Sequence, residues 1–174
     1  MSCLDKAAFV VRFGEVYEHS PWVAEEVFDA AGDEYFDAMT LSAEDMAARF
    51  ESVFLNVSKQ QQLGVLRAHP ALAVAPVERG NLTAQSSSEQ AGAGLDQCTE
   101  SEFALFQEMN AMYFGRFDFP FIIAVKGRQR QEILDIFRGR LLNSVDEEFQ
   151  AALHQVCRIA RIRIDAIVTV LRNV

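Results

Sequence analysis

Three histidines occur in this chain of 174 residues, His19, His69 and His154, so few side chains can move a proton near neutral pH. His69 is the leading candidate. It stands in "LRAHPALA", where an apolar helical pattern stops and Pro70 disfavours a helical conformation for the residue before it. A helix C-terminus carries partial negative charge, which favours a protonated imidazole, and an irregular stretch beyond it would leave the ring accessible. Purely structural capping of the helix is the competing role. His19, in "YEHSPW", reads as a residue that orients a turn, and His154 falls inside a helical pattern.

A second group of polar residues lies in "SSSEQAGAGL", residues 86–95. Successive main-chain N–H groups at a helix start, with the hydroxyls of Ser86, Ser87 and Ser88, would make an anion or amide receptor. Glu89 adds an acceptor, and Gln90 an amide that both donates and accepts. An ordinary capping box, Ser86 with Glu89, is the alternative. The stretch is no phosphate loop, since the P-loop lysine is missing, and the chain has no Gly-x-Ser-x-Gly elbow. "RIARIR" adds Arg158, Arg161 and Arg163 on a long helical pattern; a solvated basic strip is one reading and a bidentate carboxylate clamp the other. No His pair has i,i+4 spacing and no EF-hand loop appears, so a catalytic metal is not expected.

The elements that must hold these residues are helices. Apolar residues recur at three and four, as with Phe9, Phe13, Val16 and Tyr17 in a first helix within residues 5–20. Ser20 and Pro21 would start a second helix that ends near Gly32; Ser42 opens a third and Ser58 a fourth, which stops at His69. Residues 71–85, with Pro76 and Gly80, read as an irregular excursion. Ser86 and Glu89 would cap a fifth helix and Thr99 with Glu102 a sixth; residues 128–142 form a seventh, and Ser144 with Glu147 cap a long eighth.

Between the sixth and seventh, "FDFPFIIAVKG" breaks the helical period with an extended run. Strand could survive only there, around residues 119–125, and Pro120 makes it a poor interior strand. Its side chains belong to a core. Its main-chain groups, with no sheet to join, need partners from side chains, water or a planar ligand. The expected fold is one all-α domain over residues 1–174, a bundle of about eight helices with that short extended segment.

Composition narrows the function classes. Half the residues are apolar and 24% charged, as in globular chains, and the formal charge of −9 argues against nucleic acid or an anionic membrane as partner. Cys3, Cys98 and Cys157 are odd in number and far apart, which suggests neither disulfides nor zinc but a reducing compartment. With no secretory pattern and no apolar run of about 20 residues, bacterial cytoplasm is the simplest expected location.

"YEHSPWVAE", "RAHPALA", "SSSEQAGAGL", "FDFPFIIAVKG" and "RIARIRI", in that order over nearly the whole chain, resemble the OHCU decarboxylase family. OHCU is 2-oxo-4-hydroxy-4-carboxy-5-ureidoimidazoline, and these enzymes complete the conversion of urate to S-allantoin. The resemblance implies an all-helical, usually dimeric enzyme that uses neither metal nor organic cofactor. By the same resemblance His69 matches the catalytic histidine and Glu89 and Gln90 its acid and amide, while Arg163 matches the substrate-binding arginine, with Arg161 the alternative. Pro70 would shape the histidine's pocket and Ser86 would contact the ligand. Main-chain groups of Phe119, Phe121, Ile122 and Ile123 would hold the ureido or ring amides. A basic or polar residue often follows "HP" in the family where this chain has Ala71, so no side-chain contact is expected there. The residues alone leave two rivals: a helical interaction module without activity, and a decarboxylase of a related ureido acid.

Overall fold

The computed structural model describes residues 3–32, 36–37, 42–74 and 82–172. The chain divides into two compact units, residues 1–68 with 156–174, and residues 69–155. Among the described residues there are eight α-helices, so the all-α expectation holds.

In the first unit, helix α1 (Lys6–Phe13) is capped by the Asp5 carboxylate, which accepts from the Ala8 N–H at 2.7 Å. It ends earlier than its apolar spacing suggests. At Gly14 an added Cβ would lie 2.6 Å from the Val10 carbonyl oxygen, and His19 beyond it takes a left-handed φ of 49°. Val16 and Tyr17 are buried as expected, but from a turn rather than a helix. Apolar periodicity persists there because both side chains still face the core.

Helix α2 (Trp22–Ala30) follows Pro21, and the expected Ser20 cap is not formed: the Ser20 hydroxyl donates to the Glu18 carbonyl at 3.0 Å instead. Helix α3 (Ala43–Asn56) is capped by Ser42 and buries Met46, Phe50 and Phe54. In α4 (Lys59–Ala68) Ser58 accepts from the Gln61 N–H while Gln61 accepts from the Ser58 N–H, a reciprocal cap. The core here is aromatic: Phe9 and Phe13 lie 4.7 Å apart, and Tyr17 packs 4.8 Å from Phe54. A two-residue antiparallel pair, β1 (Cys3–Leu4) with β2 (Phe36–Asp37), lies outside the region where strand was expected. Pairs so short carry no periodic signature.

In the second unit, α5 (Ala84–Gly92) begins before the serines. Thr83 is its cap, accepting from the Ser86 N–H at 3.2 Å, so the expected Ser86 and Glu89 box is not the one used. Thr83 and Ser86 can both cap and stand three apart; the extended backbone falls at Thr83. The expected run of free N–H groups at residues 86–88 is lost with it, since the Ser87 N–H also bonds the Thr83 carbonyl. Pro76 and Gly80 lie outside the described residues. Helix α6 (Glu100–Phe117) has the full Thr99/Glu102 box, and the left-handed Asp118 ends it. Residues 119–125 are buried and are neither helical nor paired as a strand among the described residues. Helix α7 (Arg130–Arg140) follows. The long helix α8 (Val145–Arg172), opened by Ser144 with Glu147, contributes residues to both units. No described helix is long and apolar enough to cross a membrane.

Candidate active site

His69 follows the last residue of α4 and is 8% exposed, with Nε2 shielded from solvent; Pro70 beside it is half-buried. The turn after Pro70 is held by three carboxamides. Gln90 on α5 donates to the Ala71 carbonyl at 3.1 Å and accepts from the Ala73 N–H at 3.0 Å. From α6, Asn110 donates to the Leu72 carbonyl and Gln107 to the Ala73 carbonyl, each at 2.9 Å. Every carbonyl of residues 71–73 is thereby bonded. The arrangement matters because Ala73 has φ of 52°, a left-handed conformation that costs a non-glycine residue about 1–2 kcal/mol.

The amide expected from Gln90 is therefore present but anchored to this turn, which leaves one N–H and one lone pair for any further partner. Ser86 and Gln90 are buried one turn apart on α5, and the half-buried Glu89 precedes Gln90. Glu89 thus lies one residue from the bonds that tie α5 to the turn beyond His69. A cavity of about 240 Å³ opens nearby, lined by Ala73, Val74, Leu82, Ser87, Gln90 and Leu95 among others; of the expected site residues it includes Gln90. Phe119, Phe121, Ile122 and Ile123 are all buried in the segment between α6 and α7, which belongs to the same unit.

The two arginines weighed for the clamp differ sharply. Arg161 is 63% exposed and lies 3.6 Å from the still more exposed Glu44. Arg163 is buried on α8 in the first unit, where its Nη1 donates to Glu18 Oε2 at 3.0 Å and to the Glu15 carbonyl at 3.2 Å. Burial, a buried carboxylate and main-chain acceptors fix the direction of the guanidinium. Arg161 has no such restraint.

Glu18, Gln107 and Asn110 were not singled out by their sequence pattern. Glu18 lies in "YEHSPWVAE", where a carboxylate beside a histidine and a cap offered a faint signal; the two amides on α6 offered none. Among the described residues no group of three His, Cys, Asp or Glu side chains could hold a metal ion.

The all-helical chain holds a buried His-Pro turn with the expected acid and amide on the next helix of the same unit, and a buried arginine in the other unit. The chain belongs to the OHCU decarboxylase family, whose model matches residues 2–165. It is 39% identical over 165 residues to the 2-oxo-4-hydroxy-4-carboxy-5-ureidoimidazoline decarboxylase of Haloferax volcanii, covering 92% of this chain and 89% of that one. The protein of the same name from Halalkalicoccus jeotgali is 38% identical over 161 residues, with 92% and 85% covered. A crystal structure of (S)-allantoin synthase superposes with a TM-score of 0.73 at 28% identity over 94% of this chain, which spans about half (51%) of that longer chain.

Proposed function

We propose that this chain decarboxylates OHCU and protonates the product on one face to give S-allantoin, in urate breakdown. The observation that carries the reading is the clamped His69 turn, bonded to the helix that bears Glu89, in a chain of this family. OHCU brings its own electron sink, since the carbon that loses carbon dioxide adjoins a ring carbon doubly bonded to nitrogen. The bond to the carboxylate breaks and its electron pair moves into the ring toward that nitrogen. The hydroxyl then gives up its proton, while the ring nitrogen and the ureido-bearing carbon each gain one. One proton is drawn from solvent in the balance. No organic electron acceptor is required, and the protein's work is orientation, charge stabilisation and one-sided proton delivery.

In this scheme Glu89 fixes the His69 imidazole and His69 carries the proton. Arg163 clamps an anionic oxygen, and Ser86, Gln90 and main-chain groups of residues 119–123 hold the ureido and ring amides, with Pro70 shaping the wall. The family resemblance implies a homodimer, and the isolated cysteines fit a reducing cytoplasm. Freshly generated OHCU, with carbon dioxide release and optical rotation as readouts, tests the reading. Wild-type protein should release carbon dioxide and accumulate one enantiomer; a racemic product at the uncatalysed rate would refute it. Simpler ureido acids in parallel separate a decarboxylase of different substrate, and an inert helical module would turn over none of them.

A further inference from the structure

Glu148, on α8, is fully buried, and both its carboxylate oxygens are engaged within the second unit. Oε1 accepts from the Tyr113 hydroxyl and from Arg140 Nε at 2.8 Å, and Oε2 accepts from Asn143 Nδ2 at 2.7 Å. Burial and then this hydrogen bond hold the Tyr113 phenol well above its ordinary range, so it stays protonated and donates. The Arg140 side chain, 12% exposed, has its remaining Nη1 on the Ile122 carbonyl at 2.5 Å. Its guanidinium also lies 4.8 Å from the centre of the Phe121 ring, which is stacked on Phe137 at 3.8 Å with the ring planes 8° apart and meets Tyr113 edge-on at 5.4 Å. One planar cation therefore grips the segment between α6 and α7 twice, at a main-chain oxygen and at a side-chain ring. Two residues further on, the Ala124 N–H donates to Gln155 and its carbonyl accepts from Arg128.

Burying a charged pair is costly, and an apolar pair of similar size would often be at least as stable. A buried ion pair is thus weak evidence for a stabilising role, and its bond to the Ile122 carbonyl indicates what else it does. We propose that Arg140, oriented by Glu148 and Tyr113, is a positioning residue that sets the register of residues 119–123 for substrate binding. The proposal rests on the assignment of that segment to OHCU under the proposed function. A sheet would fix the register of such a segment by its ladder; without one, the guanidinium fork supplies a main-chain bond and a ring contact in its place. Lysine cannot replace it, because one ammonium cannot span the carboxylate and the carbonyl with the same fixed geometry.

The test is the paired variant Arg140→Met with Glu148→Gln, which leaves no unpaired buried charge and keeps an amide oxygen for Tyr113. Tyr113→Phe, which removes only one donor, serves as a second and milder variant. Two quantities are read in each: the OHCU Michaelis constant against turnover, and the exchange rates of the Ile122, Ile123 and Ala124 amides in the free protein. Loss of one charge-assisted bond predicts a Michaelis constant raised about tenfold in the paired variant, with turnover changed much less. Faster exchange confined to those amides should accompany it, with a smaller change of the same kind for Tyr113→Phe. Wild-type values for both quantities in the paired variant overturn the proposal. So does a raised Michaelis constant without faster exchange, or faster exchange without a binding defect. If the wild-type chain fails to act on OHCU at all, the functional reading fails, and the exchange rates still report whether Arg140 anchors the segment.

Discussion

Arg163 and Glu18 form an ion pair at 3.0 Å, with 3% and 0% of their side chains exposed, across 145 residues of sequence. The carboxylate lies in the turn that interrupts the apolar pattern after α1, and the neighbouring Glu15 and Val16 carbonyls accept from the same Arg163 nitrogen. The early end of α1 is therefore what brings main-chain acceptors to the guanidinium.

Breaking that pair from the carboxylate side should be severe. Glu18→Ala leaves a buried guanidinium without its counter-charge, which costs about 3–5 kcal/mol and should lower the thermal midpoint by roughly 10 °C. Glu18→Gln retains an acceptor and should fall between this variant and wild type. A Glu18→Ala protein that melts with wild type would show that the pair has no such role.

His69→Ala is expected to reduce OHCU turnover by at least about a hundredfold, the lower range for general acid-base help. The folded protein should persist, as judged by circular dichroism. Near-normal turnover would remove His69 from the mechanism.

For the turn that follows, Asn110→Ala and Gln107→Ala each delete one bond to a main-chain carbonyl. Each should cost about 1 kcal/mol in urea unfolding and lower turnover more than it alters the Michaelis constant. The two side chains hold adjacent residues, so their effects should not add. Strict additivity in the double variant would mean that the turn does not respond as a unit.

Alkaline stability tests the first unit. Burial, followed by the negative charge of Glu51, pushes the Cys157 thiol up to about 11 from an ordinary value of 9.0. Since the folded value lies above the unfolded one, the associated stability is intact below pH 9 and is lost as pH rises toward 11, on the order of 2–3 kcal/mol. Tyr17, also raised by burial, acts in the same direction at higher pH. Cys157→Ala should therefore show a shallower decline between pH 9 and 11 in denaturant titrations. At pH 8, iodoacetamide should label the half-buried Cys98 before the buried Cys157.

The helices were legible because their signals are local. Ser42, Thr99 and Ser144 with its Glu147 announce their helices within four residues, and the apolar stripes that follow them share one period. Where two local signals competed, as at Thr83 and Ser86, the start was misplaced by three residues and an expected row of free N–H donors went with it. At Val16 and Tyr17 burial outlasted the helix, which periodicity cannot distinguish. Site partners were a different matter. Asn110 meets the Leu72 carbonyl across 38 residues and Glu18 meets Arg163 across 145, and nothing in the spacing of amides or carboxylates along a chain encodes such meetings. Nothing in the helical stretch around Arg140 marks it out, since its burial depends on Glu148 and on the course of residues 119–123.

Ala73 supplies a last consequence. Glycine would adopt its left-handed backbone with little penalty and could keep that shape alone; alanine keeps it only under outside support. The bend behind His69 is thus conditional: it exists to the extent that α5 and α6 are both assembled around it. If His69 carries the proton as proposed, a half-folded chain would hold the histidine without this support, and the chemistry would switch on with completion of the fold rather than before it.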